Sequence, residues 1–394
     1  MIRASNSFKY QNFLLAFLWL SGMLKDYLYI YVVEFDIVKW IVTIVSLDIV
    51  FHSLIRKIKY SRSSVFIFLI FLIFCSLMVF SLTYSPSISY KYEKVFAFMV
   101  NIPFLIYPIF IAKMNFNTII KVYSVVLIPL SLFYIYMSSI QWQVVNNLTE
   151  VFTEAGFDYL TLGIHLGILF ILLNYFKKNV WIQLIIYFLL IATAARGPII
   201  FITLLFLMMN FKQLISFRKG YIKKIIWTLV MSILLFQLFF NLISPFFVKS
   251  ILRLSALNLF DSSVVSRLEL IKFGSYQPFE SFITFVFGNG IGSFGILYNQ
   301  IDARAYPHNI ILEIFFEMGI IGLGLFLLLL IYIFIKFLSQ NNNVFFPLIF
   351  FILLNLLKSS SLTDTWILFS FAGGISIYSF KKEVLLNNNL KNKN

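Results

Sequence analysis

Charge is scarce in this chain. Asp, Glu, Lys and Arg make up 12% of its 394 residues, about half of what a soluble domain carries. Cysteine occurs once, as Cys75 inside an apolar run, which excludes an intramolecular disulfide and a thiolate metal cluster. The three histidines, His52, His165 and His308, are scattered, so no metal site is expected. There is no repeat of fixed period, and no low-complexity tract beyond the Asn/Lys tail 387–394. No small-residue cleavage site follows the first apolar run, so that run should be retained rather than removed as a signal. The ten-residue alternation of a membrane barrel is missing too.

What is present is apolar bulk. Hydrophobic residues make up 61% of the chain, and Phe alone supplies 49, which reads as lipid-facing bulk. That content is enough for about twelve spans of about 20 residues. A single soluble core, by contrast, stops growing near roughly 250–300 residues. The expected fold is an all-α polytopic membrane protein, because the backbone has to satisfy its own hydrogen bonds in lipid. The apolar runs place candidate spans at 11–33, 37–55, 64–82, 94–112, 119–138, 159–176, 179–195, 197–211, 222–243, 308–337, 344–357 and 364–380. The domain plan is then nine helices over 1–243, one large, partly helical outer loop over 244–307, three helices over 308–380, and a tail over 381–394.

The net charge of +15 is not the footprint of a nucleic-acid partner. Its bulk falls in short segments, such as Arg56, Lys57, Lys59 and Arg62, or Lys212, Arg218, Lys219, Lys223 and Lys224. If both termini are cytoplasmic, these segments are all internal, while Glu34, Asp36, Glu150, Glu154 and Asp158 lie outside. This is the positive-inside pattern, with the basic loops facing anionic headgroups.

A few polar residues carry candidate chemistry. Gly290-Ile291-Gly292-Ser293-Phe294-Gly295 fits a dinucleotide fingerprint and follows a strand-like run, Phe282 to Phe287. The fingerprint also needs a βαβ unit, so a tight loop with close backbone approach is the better reading. Arg196 sits between two short apolar spans and opens the second, where guanidinium and free helix N–H groups would act together on an anion. The bland alternative is snorkelling. The outer loop adds Arg253, Arg267, Lys272 and Arg304 against Asp261, Glu269, Glu280 and Asp302, which alone reads as a solvated surface. Tyr306-Pro307-His308-Asn309 leads into a long apolar run, which places His308 in the first turn of a helix. There it should be mostly neutral. Asn309, Glu313 and Glu317 follow at intervals of four and share one face. His52, four residues after Asp48, reads as an interfacial pair, and His165 as a buried packing residue.

Taken together, these features resemble the O-antigen polymerase/ligase family of bacterial envelope glycosyltransferases. The likeness rests on Ala195-Arg196-Gly197, Ser266-Arg267, Gly288-Asn289-Gly290-Ile291-Gly292-Ser293-Phe294, and above all His308-Asn309-Ile310-Ile311-Leu312-Glu313 with Gly319 and Gly322 beyond it. Ile271 and Lys272 stand where the family often has an aromatic after the loop arginine. The resemblance implies a metal-independent, cofactor-free transfer of a glycan from undecaprenyl diphosphate to an acceptor hydroxyl, at the periplasmic face of the inner membrane. Its implied partners are lipid-linked oligosaccharides as donor and acceptor, membrane lipids, and a chain-length regulator. It implies that Arg196 and Arg267 hold the diphosphate and His308 deprotonates the acceptor, with Arg304, Asn309 and Gly197 binding substrate. Polymerase is the leading expectation. A ligase moving polymer to lipid A core carries the same motifs. A lipid-linked oligosaccharide flippase should instead show two similar halves and charges near the bilayer midplane.

Overall fold

The computed structural model describes residues 2–31, 36–55, 62–111, 114–144, 159–193, 195–215, 262–338 and 344–375. The expected span 222–243, the loop segment 244–261 and the tail 381–394 lie outside the described residues. Among the described residues there are helices, turns and loops, and no strand. Among the described residues, five helical stretches are long and apolar enough to cross a membrane: Ile37–Leu54, Arg62–Ser81, Tyr90–Phe110, Phe116–Met137 and Ile310–Lys336. Five shorter apolar helices accompany them. Large apolar side chains lie exposed along several of these stretches, including Leu47, Phe51 and Leu54, Leu69 and Ile73, and Ile331 and Ile335. Such surfaces suit lipid rather than water.

The chain divides into two compact units. The first comprises residues 1–41 and 115–258. Its described helices are α1 (Ile2–Tyr31), α6 (Phe116–Val144), α7 (Tyr159–Tyr175), α8 (Val180–Ala192) and α9 (Arg196–Ile215). Helix α7 is its centre, buried from Leu162 to Leu173 and packed against α6, α8 and α9. Gly163 permits the closest approach, since a Cβ there would meet Ala195 and Pro198. His165 is fully buried, with the Tyr123 hydroxyl 3.4 Å from Nδ1, a packing position as expected.

The second unit comprises 42–114 and 259–394. It holds most of α2 (Ile37–Ile55), with α3 (Arg62–Ser81), α4 (Tyr90–Met99) and α5 (Asn101–Phe110). From the later part come α10 (Ser262–Tyr276), α11 (Phe282–Phe287), α12 (Phe294–Asn299), α13 (Ile310–Leu338), α14 (Phe345–Ser359) and α15 (Trp366–Ile375). Helix α13 is the spine, with α3, α10, α11 and α14 packed on it. Phe71, Phe98 and Phe369 form one aromatic cluster, and Phe273, Phe294 and Phe316 another. His52 Nδ1 lies 3.2 Å from Asp48 Oδ1, the pair expected from their spacing.

Two expectations are corrected and one is refined. The expected span 94–112 stands as one apolar stretch, Tyr90–Phe110, built from two helices, α4 and α5. Pro103 has no N–H with which to continue the first helix, and the Asn101 amide donates to the Phe98 carbonyl at its end. The strand-like run Phe282 to Phe287 is helix α11, because Ser281 and Thr284 form a capping box that starts a helix there. The expected span 308–337 opens at Ile310 and is broken at Gly319, whose φ of 63° and ψ of −164° are not helical. At this break the Phe316 carbonyl accepts from the Asn289 amide at 2.8 Å, and the Glu317 carbonyl from that of Gly290 at 3.0 Å. Irregular backbone of this kind survives in an apolar setting only when protein covers it. Here the stretch 288–290 does so.

Candidate functional site

The geometry around His308 follows from its neighbours in sequence. Asn309 caps α13, its side-chain oxygen accepting from the amides of Ile311 at 3.0 Å and Leu312 at 3.2 Å. Its amide nitrogen donates to the Leu357 carbonyl at 3.0 Å. His308 therefore precedes the cap and is not in the first helical turn as expected. It holds a positive φ of 54°, a conformation in which histidine is one of the tolerated residues. Its ring packs on Tyr306, with centroids 4.6 Å apart.

The Ser359 carbonyl lies beside the His308 ring, where it favours the protonated form. Nδ1 is buried with no hydrogen-bond partner. Burial, and then the nearby positive charge of Arg267, push the His308 pKa below the usual value, while the Ser359 carbonyl and Glu313 oppose the shift. The imidazole is therefore mostly neutral at pH 7. The neutrality expected from a helix terminus has a different cause: desolvation and a cation.

Arg304 lies within the same field. One of its nitrogens sits 3.3 Å from Asp364 Oδ1, and the guanidinium lies 5.6 Å from the Tyr306 ring centre. It stays about half exposed, at 55% of its side-chain surface, and so keeps donors for a ligand. Arg267, on α10, is partly buried. Thus Arg267, Arg304, His308 and Asn309 are grouped within the second unit. Arg196 and Gly197 open α9 in the first unit, Gly197 buried and Arg196 half-buried.

Beneath His308 lies a feature that the sequence reading missed. Lys94 of α4 is fully buried, its Nζ 2.5 Å from Glu313 Oε1 and 2.7 Å from Glu317 Oε1. Glu313 also accepts from the Ser361 hydroxyl and the Leu362 amide, each at 2.8 Å. Half of the signal was available: two glutamates four apart in an apolar helix ask for a cation, but Lys94, at the head of its run beside Lys91 and Glu93, is not marked as their partner.

A second feature is a clasp. Asp302 accepts from the Ser87 hydroxyl at 2.6 Å, the Ile88 and Ser89 amides at 2.9 and 2.7 Å, and the Ser89 hydroxyl at 3.0 Å. Ser87 and Ser89, and then the Ile88 amide, hold its carboxyl well below the usual carboxylate range. In the loop expected to be plain solvated surface, Glu269 and Glu280 are exposed, whereas Asp302 ties it to the segment before α4. The glycine stretch 288–292 is pinned nearby, with the Ser85 hydroxyl donating to the Ile291 carbonyl at 2.7 Å. A short helix, α12, does follow these glycines, but a helix and not a strand precedes them, so the dinucleotide unit is absent from this segment.

This arrangement can take a proton at a neutral imidazole while two guanidiniums attract an anion. No group of three His, Cys, Asp or Glu suited to a metal ion occurs among the described residues. Comparison with models of known protein families, with curated proteins and with solved structures finds no match.

Proposed function

We propose that this chain is a polymerase of lipid-linked oligosaccharide repeat units. It would transfer the growing glycan from undecaprenyl diphosphate to a sugar hydroxyl of a new repeat unit. The observation that carries this reading is the neutral His308 beside Arg267 and Arg304, at the mouth of an apolar helix. In the step proposed, the acceptor oxygen attacks the anomeric carbon and its proton passes to His308. The bond from sugar to diphosphate breaks, and undecaprenyl diphosphate leaves with the electron pair. A general base is most useful when its pKa lies near the working pH. Fixed guanidiniums stabilise the charge developing on the leaving group most strongly where water is sparse. Arg267 and Arg304, with Arg196 at its helix opening, are assigned to the diphosphate, for which forked, permanently charged donors are apt. Asn309 and Gly197 are assigned to binding substrate.

The topology proposed with this function has about twelve crossings in a bacterial inner membrane, both termini cytoplasmic and the His308 side periplasmic. The position of the buried charges weighs against a flippase. Glu317 lies seven residues into α13, on the order of 10 Å from its start, so Lys94 and its partners sit toward the His308 end of that helix rather than its middle. Deleting the gene and resolving the surface polysaccharide on a gel tests the reading. Single repeats on lipid A are the expected result. Polymer stranded on its lipid carrier would instead identify a ligase, and an unchanged ladder would refute both.

A further inference from the structure

The groups that touch His308 and Arg304 share one support. The Ser359 carbonyl lies beside the His308 ring, and Asp364, five residues further on, pairs with Arg304. Between them runs a tight turn in which the Ser361 amide donates to Asp364 Oδ2 at 2.9 Å and the Asp364 amide to the Ser361 carbonyl at 3.0 Å. This turn rests on Glu313, through the Ser361 hydroxyl and the Leu362 amide. Glu313 in turn is fixed by Lys94, which Glu317 also binds.

We propose that Lys94, Glu313 and Ser361 are positioning residues for the site: they lock the 359–364 turn, and the turn sets both the His308 ring and the Arg304 fork. The inference rests on the function proposed for His308. Its geometry, however, is open to a measurement that needs no activity. Lys94, Glu313, Glu317 and Ser361 are all buried, so none can exchange its partner for water without leaving a polar atom bare. Glu313 is the junction. Its two oxygens accept three hydrogen bonds, one from α4 and two from the turn. A one-atom change there shifts the backbone that carries the Ser359 carbonyl without replacing His308.

The sign of the effect is fixed. A carbonyl that accepts from imidazole stabilises the protonated ring, so loosening Ser359 lowers the His308 pKa further. The groups that act on this ring are Arg267 from α10, Arg304 and Tyr306 from the preceding loop, Glu313 from α13 and Ser359 from α14. Ser361→Ala alters none of their charges, which makes it the clean variant. Glu313→Gln also removes a carboxylate that raises the same pKa, so its shift should be larger and in the same direction.

The experiment is histidine-selective NMR on the full-length protein in detergent micelles, with three histidines to assign, alongside the pH profile of chain extension. Ser361→Ala is expected to lower the His308 pKa by about half a unit and to move the acidic limb of activity by the same amount. Ser361→Thr, which keeps the hydroxyl, should restore both. An unchanged or raised pKa in Ser361→Ala overturns the proposal. So does a loss of activity equal at every pH, which would mean only less folded protein. Should Glu313→Gln fail to accumulate, Ser361→Ala decides alone. Full chain extension by His308→Ala would refute the function, while the histidine pKa shift would still decide whether the turn positions the ring.

Discussion

Gly319 and Gly288 lie against each other, each with positive φ and each without room for a Cβ. One at Gly319 would strike the Val286 carbonyl and the Gly288 amide, and one at Gly288 the backbone between Glu317 and Met318. The break in α13 and the glycine stretch are thus one device. Gly319→Ala should cost about 2 kcal/mol or more, read as a lower unfolding temperature in detergent. Gly324→Ala, with open space around its Cβ, serves as the control and should be neutral or slightly stabilising. Equal effects at the two positions would contradict a shared device.

Lys94→Met leaves two buried carboxylates without their cation. Breaking a buried ion pair from one side costs about 3–5 kcal/mol, so this variant should unfold or fail to accumulate. Lys94→Met/Glu317→Met should recover part of the loss, because Glu313 keeps Ser361 and Leu362. A double-mutant cycle measures the coupling, and additive losses would mean that the pair contributes nothing.

His308→Ala should abolish chain extension while the protein still inserts. Because the folded pKa is depressed, the wild-type rate should rise through a pH below about 6.5 and be level by neutrality. Stability follows the same sign: the unfolded state takes up the proton first, so the fold weakens as pH falls from about 6.5. A rate still climbing above pH 7 would point to a different base.

Arg196→Lys and Arg267→Lys each keep a charge and lose the fork. Activity should fall at least about tenfold in each, with inserted protein unchanged by immunoblot. An unaffected Arg196→Lys variant would mean that this arginine only reaches for the membrane surface.

Asp302→Asn replaces two acceptor oxygens with one and brings an amide against donors. Protease cleavage between α3 and α4 should become faster. Since the folded carboxyl pKa is depressed, the clasp is complete above the unfolded value of about 4 and is lost only as pH falls below it. From pH 5 to 8 the difference between variant and wild type should therefore stay constant, unlike anything that depends on His308.

Where the structure agrees with the sequence, hydrophobic length does the work. The runs 37–55 and 159–176 end within a residue of their helices, because twenty apolar residues leave few alternatives. Polar punctuation is harder to read. Asn309 is a better cap than His308, so α13 opens two residues later than the apolar run suggests. Six apolar residues from Phe282 fit strand or helix equally, and only the pairing of Ser281 with Thr284 decides. Arg267, Arg304 and His308 are legible as residue types that suit a diphosphate and a proton. Lys94 does not stand out in the same way, because its partners lie more than two hundred positions away and nothing local announces them.

That distance also has a consequence in time. Glu313 is synthesised 219 residues after Lys94, an interval of roughly ten to forty seconds at ordinary translation rates. Throughout it the lysine waits with neither carboxylate yet made. The second unit can close only when the ribosome has delivered α13, so the order of synthesis keeps the site open until its last supports arrive.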